Sequence, residues 1–292
     1  MRYPFIEDYC GQFSIAALCR VMQVSRSGYY AWLKRPESNR SRENRQLVEQ
    51  IRDIHQQSRQ TYGSPRIHAE LQTMGVVCSE NRIARLMRQH GIAVERKRKF
   101  TRTTDSNHYL PIASNLLDQQ FEVSSPNTVW TTDITYIWTK EGWLYLAIVL
   151  DLFSRRVIGW SMAPTLERML VIVALQMAIT ARNPAKGLMH HSDRGSQYAS
   201  YDYQQILQQK GVVGSMSRRG NCYDNAPTES CFATLKRELV YRRNYSSHAQ
   251  AKQDIFEYIE VWYNRQRRHS AIGYMSPMEY EKQWQETTTT AA

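Results

Sequence analysis

The chain has 292 residues, 42% hydrophobic and 22% charged, which suits roughly two or three soluble domains and excludes a disordered or fibrous chain. The longest apolar runs, LYLAIVL (144–150) and LVIVALQMAI (170–179), fall far short of the ~20 residues of a membrane span. MRYPFIEDYC carries acids where a secretory signal carries an apolar run, so a cytoplasmic protein without membrane partners is expected.

The five cysteines (10, 19, 78, 222 and 231) form no CxxC pair, which argues against a zinc knuckle or a disulfide framework and for reduced thiols. Of the formal net charge of +11, residues 1–110 carry +9 and the remainder only +2. A basic, arginine-rich third points to nucleic acid, because phosphates bind there with counterion release. The plain alternative is a solvated basic surface.

In chain order, Ile15, Leu18, Cys19 and Met22 recur at helical spacing, Ser25 offers a cap, and Tyr29, Trp32 and Leu33 continue a second helix. Two short helices about a tight turn fit a helix-turn-helix over 1–40, with Arg26 on the groove-facing helix. Any αα-hairpin would give the same pattern. KRPESNRSRENR (34–45) reads as a polar linker to a second unit over 41–100. There Leu47, Ile51 and Ile54 keep helical spacing. TYGSPRIHAEL, which holds Arg66, offers Ser64 as N-cap and Pro65 at the first helical position. Ser79 precedes ENRIARLMRQHG, with Gly91 as its stop. Arg82, Arg85 and Arg88 share one flank of that helix, facing either phosphates or solvent. Residues 101–124 are read as arm and linker, and the basic run ERKRKFTRTT (95–104) leads into them with Arg96, Lys97, Arg98 and Lys99 as phosphate contacts.

From about residue 125 the pattern turns to strands: TVWTTDITYIWT, WLYLAIVLD and RRVIGWSM, with Gly142 at a hairpin turn. A long apolar helix (LERMLVIVALQMAITAR), the strand GLMHHS, a helix through YDYQQILQQKG and the short strand VVGSM follow. A three-strand meander followed by alternating helices and strands predicts a mixed α/β sheet of ribonuclease-H-like order over 125–245, preceded by all-α DNA-binding regions. Residues 246–292 are expected to form a helical extension. Its aromatics in YIEVWYN (258–264) follow core spacing, RQRRH (265–269) could meet phosphates, and the ETTTTAA tail is expected to be disordered.

Three carboxylates stand out, and each has a bland reading. Asp133 lies mid-strand in WTTDITYI, where a carboxylate is costly unless paired or metal-bound, although strand aspartates on exposed faces are common. Asp193 in HHSDRGSQYAS (190–200) sits where a turn residue belongs. Glu229, after the capping candidate Asn225 and Pro227, sits where a helix dipole favours an acid. Together they are the acids that a ribonuclease-H-like sheet gathers at one edge. Hard oxygen ligands suit two Mg²⁺ ions, with Mn²⁺ as a substitute. Such a pair stabilises both the attacking and the leaving oxygen at phosphorus. Asp151 reads as a strand end with arginine partners, Asp224 as helix-start chemistry, and one of His190 and His191 as a core histidine. Arg194 contacts either DNA or a local partner, while Arg218 and Arg219 lie in the loop before Glu229, a DNA-facing position.

The spacing is more specific than any single residue. Thirty-five residues separate Asp193 from Glu229, and Lys236 lies seven beyond the glutamate, on the same helical face. With WTTDITYI, LDLFSRRVIGW, HHSDRGSQYAS, SMSRRGNCYDNAPTES, FATLKREL and YNRQRRHSAIGYMSP, and with CRVMQVSRSGYYAWL and TYGSPRIHAEL upstream, nearly the whole chain resembles the OrfB-type DDE transposases of bacterial insertion sequences, whose core resembles retroviral integrases.

The resemblance implies that Asp133, Asp193 and Glu229 are the metal-binding catalytic triad and that Lys236 holds a phosphate beside them. It implies hydrolysis exposing a 3′-OH at the element end, then attack of that 3′-OH on target duplex DNA. It also implies reading of terminal inverted repeats by an oligomer, and an upstream-frame subunit carrying a leucine zipper. Thr228 and Cys231 depart from the small apolar and aromatic residues expected beside the glutamate. Two other readings remain at this stage. One is a catalytically silent DNA-binding regulator derived from a transposase. The other is a ribonuclease-H-type hydrolase, which would need no paired helix-turn-helix units.

Overall fold

The computed structural model describes residues 2–94, 112–218 and 222–290. Arg96, Lys97, Arg98, Lys99 and Arg219, all expected to meet DNA, lie outside the described residues.

Three short helices, α1 (Arg2–Tyr9), α2 (Ile15–Val21) and α3 (Arg26–Leu33), close around Ile6, Leu18, Cys19 and Tyr29. Ser14 and Ser25 cap α2 and α3, the Ser25 hydroxyl accepting from Gly28 N at 3.0 Å. α1 was not foreseen, because RYPFIEDY carries no apolar stripe and buries only Ile6.

The second unit comprises α4 (Asn39–Gln57), α5 (Ser64–Thr73) and α6 (Glu80–Gln89). The stretch read as a linker is partly helix: α4 starts at Asn39, capped by Ser38, two turns ahead of its apolar stripe Leu47, Val48, Ile51 and Ile54. Those first turns are polar because they are solvated, which hides a helix from a pattern search. Gly63, rather than Ser64, holds the N-cap position of α5, with the proline in its first turn. Ser79 caps α6 as expected.

The central sheet has five strands: β1 (Val129–Thr139), β2 (Gly142–Asp151), β3 (Val157–Ala163), β4 (Met189–Ser192) and β5 (Val213–Met216). Their order is β3-β2-β1-β4-β5. The first three form an antiparallel meander, and β4 and β5 run parallel to β1. This is the mixed α/β, ribonuclease-H-like order read from the sequence.

One face packs α7 (Arg168–Arg182) and α8 (Tyr201–Gln209) through Val149, Ile158, Leu175 and Leu207. The approach of α7 to β3 is so close that a Cβ on Gly159 would collide with the Ala174 carbonyl and lie 2.8 Å from the Ala178 methyl. The opposite face packs α9 (Ala226–Glu238) and α10 (His248–Glu257), which runs into a π-helical segment, Tyr258–Tyr263.

That second core is continuous with the core of α4–α6. Tyr62 meets Trp262 with ring centroids 5.8 Å apart, Arg59 pairs with Glu257 at 2.7 Å, and Arg268 donates to Glu70 at 2.8 Å. The second helical unit is therefore docked on the C-terminal extension. Arg267 and Arg268, which could have met phosphates, are held by Glu238 and Glu70.

The tail corrects another expectation. α11 (Pro277–Thr290) carries helix through ETTTT. Ser276 N donates to the Glu279 carboxylate at 2.9 Å and Glu279 N to the Ser276 hydroxyl at 3.4 Å, a reciprocal start signal with Pro277 between. Glu281 then anchors the helix, buried against Arg156, Arg182 and Ser154. The hydroxyls of Thr287 to Thr290 donate to carbonyls four residues back. Among the described residues no helix is long and apolar enough to cross a membrane.

Candidate active site

The positions of the acids follow from strand register. β1 and β4 pair in parallel, Thr131 opposite His191. Carried two residues further, the same register sets Asp193, just past the end of β4, level with Asp133. Side chains alternate along a strand, so Thr131 and Asp133 share a face. That face looks towards α9, because the Thr228 hydroxyl donates to the Thr131 hydroxyl at 2.7 Å. A second brace lies one turn earlier: Asn225 Nδ2 donates to the Thr132 carbonyl at 3.0 Å. Asn225 occupies the helix cap position without capping by its side chain and ties α9 to β1 instead. Both braces fasten the start of α9 to the two residues of β1 that precede Asp133. Thr228, a departure from the expected pattern, is thus buried and paired.

The electrostatics agree with this convergence. Burial pushes the Asp133 carboxyl well above the usual carboxylate range, and the negative charge of Asp193 pushes it further. The Ile134 N–H opposes this, Glu229 adds to it, and the Lys236 ammonium opposes it. Glu229 is raised by burial and by Asp193. Lys236 is lowered by burial and held up by Asp133. Asp133 thus feels Asp193, Glu229 and Lys236, and Glu229 feels Asp193.

The acids are nonetheless spread. Among the described residues no three His, Cys, Asp or Glu side chains are gathered closely enough to hold a metal ion. Asp133 Oδ1 accepts from Ile134 N at 2.7 Å and Asp193 Oδ1 from Gly195 N at 2.9 Å. Each aspartate rests on a nearby backbone N–H. The turn role of Asp193 is real and coexists with its place in the acidic group. The donor set, carboxylate oxygens alone, fits hard divalent cations.

Comparison with known proteins settles the family. The integrase core domain family matches residues 123–222 and again 229–284, and an HTH-like domain family matches 41–100. The insertion element IS600 uncharacterized 31 kDa protein of Shigella sonnei is 45% identical over 91% of this chain and 98% of its own length. Transposase InsF for insertion sequence IS3A of Escherichia coli strain K12 is 43% identical over 96% of this chain and 98% of its own. The chain belongs to the insertion-sequence transposases with an integrase core domain. Among solved structures, the HTLV-2 integrase catalytic core domain in complex with magnesium is 16% identical, with a TM-score of 0.42 over 54% of this chain and 97% of that one.

Outside the acidic group, this transposase distributes the sequence candidates unevenly. Arg26, at the start of α3, and Arg85, on α6, are exposed. Arg82 is engaged by Asn44 at 2.9 Å and Glu43 at 3.1 Å. Arg66 is partly buried, donating to the Arg268 carbonyl at 3.0 Å and lying over the Tyr62 ring. Arg218 grips Asp224 through Nη2 at 2.8 Å and Nε at 3.1 Å and also pairs with Asp118.

The Asp224 clasp was missed as such. Its carboxylate, fully buried, also accepts from Asn115 and Gln119, and the Arg218 hydrogen bonds hold it well below the usual range. The acid pins the loop that leads into α9; the only sequence signal was a polar cluster ahead of a proline. Asp151 takes Asn127 N and Phe153 N, the expected strand-end role, but the arginines expected beside it go elsewhere, Arg156 to Glu281 and Arg155 to the Phe121 carbonyl.

Both histidines are core residues. His190 meets the Tyr203 hydroxyl at 2.6 Å, and His191 lies between Ser215 and Ser217. Burial pushes them down to about 3 and about 4, so both are neutral. Arg194 donates to the Ser217 carbonyl at 2.6 Å.

Proposed function

We propose that this transposase cuts DNA at the ends of an insertion sequence and joins the freed ends to target duplex, with Asp133, Asp193 and Glu229 as ligands of two Mg²⁺ ions (Mn²⁺ substituting) and Lys236 on a neighbouring phosphate. The observation that carries the reading is the bracing of α9 onto β1 by Asn225 and Thr228, beside the register that levels Asp133 with Asp193. A bound pair of divalent ions supplies Lewis-acid stabilisation of the attacking and leaving oxygens at phosphorus.

The chain's own residues do the rest. Asp133 and Asp193 would exchange their hydrogen bonds to Ile134 N and Gly195 N for the ions, whose positive charge would offset the repulsion among the three carboxylates. Lys236, two turns along α9 from Glu229, holds a non-bridging phosphate oxygen. In the first step water oxygen attacks phosphorus and the P–O3′ bond breaks. In the second the freed 3′-OH attacks another phosphodiester and displaces its 3′ oxygen. The reacting phosphorus passes through the same residues each time, so one site serves both.

Arg26 and Arg85 are exposed for duplex contact, and Arg66, Arg82, Arg218, Arg219 and the cationic run from Arg96 to Lys99 are the other cations that this reading assigns to DNA. Joining two element ends calls for at least two chains on DNA. An upstream-frame subunit, and residence in the cytoplasm on the nucleoid, belong to the same reading. The test is nicking of a labelled duplex bearing the element's terminal repeat, with Mg²⁺ and then with chelator. Asp133→Asn should cut at least 10⁴-fold more slowly, about 5.5 kcal/mol of barrier, and still bind the duplex. Nicking by that variant within tenfold of the wild type would sink the metal-site reading.

A further inference from the structure

Against the face of α9 that carries Ala226, Ser230 and Thr234 lies a cavity of about 360 Å³ that opens at Ser230, Arg237 and Ser270. Four arginines line it, Arg66, Arg155, Arg237 and Arg267, and no aspartate or glutamate does. They come from three parts of the chain: the second helical unit, the β2–β3 connection, and α9 with the C-terminal extension. Only Arg267 has a carboxylate, Glu238. The other three donate to neutral carbonyls, Arg66 to Arg268, Arg155 to Phe121 and Arg237 to Ala233, and none joins an ion pair among the described residues.

Such a lining is unfavourable by itself. Burial and then the Arg267 charge lower Arg66 while the Glu238 charge holds it up, and burial lowers Arg155 while the Asp151 charge opposes it, so the two guanidinium groups are only partly compensated. Proteins place unpaired arginines around a cavity where an anion will enter. Planar forks suit a tetrahedral oxyanion, the hydroxyls of Ser230 and Thr234 stand alongside, and the start of the thirteen-residue α9 contributes Ala226 and Pro227 to the wall.

We propose that this cavity binds a phosphate group, at a site separate from the acidic group, with Arg66, Arg155 and Arg237 as its counter-charges. Neighbouring residues of α9 then serve two sites: Glu229 belongs to the acidic group, and Ser230 lines the phosphate cavity. Two sources share the chemistry, a DNA strand phosphate and free phosphate, and the strand source rests on the DNA reading above.

The experiment uses the full chain in two arms. In the first, inorganic phosphate is titrated against chloride at matched ionic strength while the thermal midpoint is read. The wild type should gain stability as phosphate saturates it, and Arg155→Gln and Arg237→Gln should each need at least about tenfold more phosphate for the same gain. Arg237 is exposed at the rim, so its variant keeps the test alive should Arg155→Gln fold poorly. In the second arm, anisotropy of a labelled duplex is followed from 50 to 200 mM salt.

For a strand phosphate the variants' log–log salt slope should be shallower by about 0.9, so a fourfold rise in salt weakens them about 3.5-fold less than the wild type. An unchanged slope with lost phosphate affinity assigns the site to free phosphate. Variants matching the wild type in both arms overturn the proposal. A wild type that binds no duplex defeats the DNA reading alone, and the phosphate arm still decides the site.

Discussion

Replacing Glu238 by Gln tests the packing behind α9. Glu238 and Arg267 expose only 9% and 4% of their side chains. The guanidinium reaches the carboxylate at 2.7 Å through Nη2 and 2.9 Å through Nε, and the Tyr258 hydroxyl donates to the same group at 2.8 Å. Gln keeps the shape but removes the charge, leaving one oxygen for four donors, the Trp262 indole among them, and turning an N–H towards a cation. Breaking one side of a buried pair costs about 3–5 kcal/mol, because the other charge stays buried and alone. That is a large share of the roughly 5–15 kcal/mol that keeps a domain folded.

The assay is urea unfolding of wild type, Glu238→Gln, Arg267→Met and the apolar pair Glu238→Leu with Arg267→Met. Each single variant should lose about 3–5 kcal/mol, and the pair should recover most of it. The pH dependence has a definite sign. Burial alone would raise Glu238, but the Arg267 charge and hydrogen bonds bring it below its ordinary 4.5. The pair's stabilisation is therefore complete above that value and is lost as pH falls through the lowered one. Glu238→Gln should lack this part of the acid decline. A loss under 1 kcal/mol in both single variants would refute the reasoning.

Three further outcomes are expected. Gly159→Ala should destabilise the chain by about 1–3 kcal/mol or more, since its methyl has nowhere to go between β3 and α7; an unchanged denaturation midpoint would contradict that packing. Without divalent cations Asp133→Asn should raise the thermal midpoint, because it removes a buried charge repelled by Asp193 and Glu229, and the wild type alone should gain markedly from added Mg²⁺. A variant that melts earlier and still responds to Mg²⁺ would speak against the clustering. Duplex binding should weaken steeply with salt, with a log–log slope of about −5 or steeper for roughly six phosphate contacts, and a flat response would remove the electrostatic account of the basic N-terminal third.

Much of the sheet could be read from local pattern, because β-branched and aromatic alternation, the Gly142 turn and the apolar helix of α7 are local signals. The acidic group could be read from spacing: 35 residues and then seven constrain which elements carry Asp193, Glu229 and Lys236. What could not be read depends on partners remote in the chain. The docking of Tyr62 on Trp262, the hold of Arg268 on Glu70 and the Arg218–Asp224–Asn115 clasp leave no periodicity to detect. The start of α4 and the last turns of α11 looked like linker and tail because solvated helix surface has the composition of a loop. Asn225 was read as a cap, since a side chain bracing a strand carbonyl 93 residues away has the same local sequence as one capping its own helix.

The most direct measurement is Mn²⁺ binding by the full chain with duplex DNA, counted by electron paramagnetic resonance for the wild type and for Asp133→Asn, Asp193→Asn and Glu229→Gln. The expected result is two ions per wild-type chain and at least one lost in every variant. A wild type that takes up none, or variants that bind as the wild type does, would contradict the convergence of these three acids on one metal site.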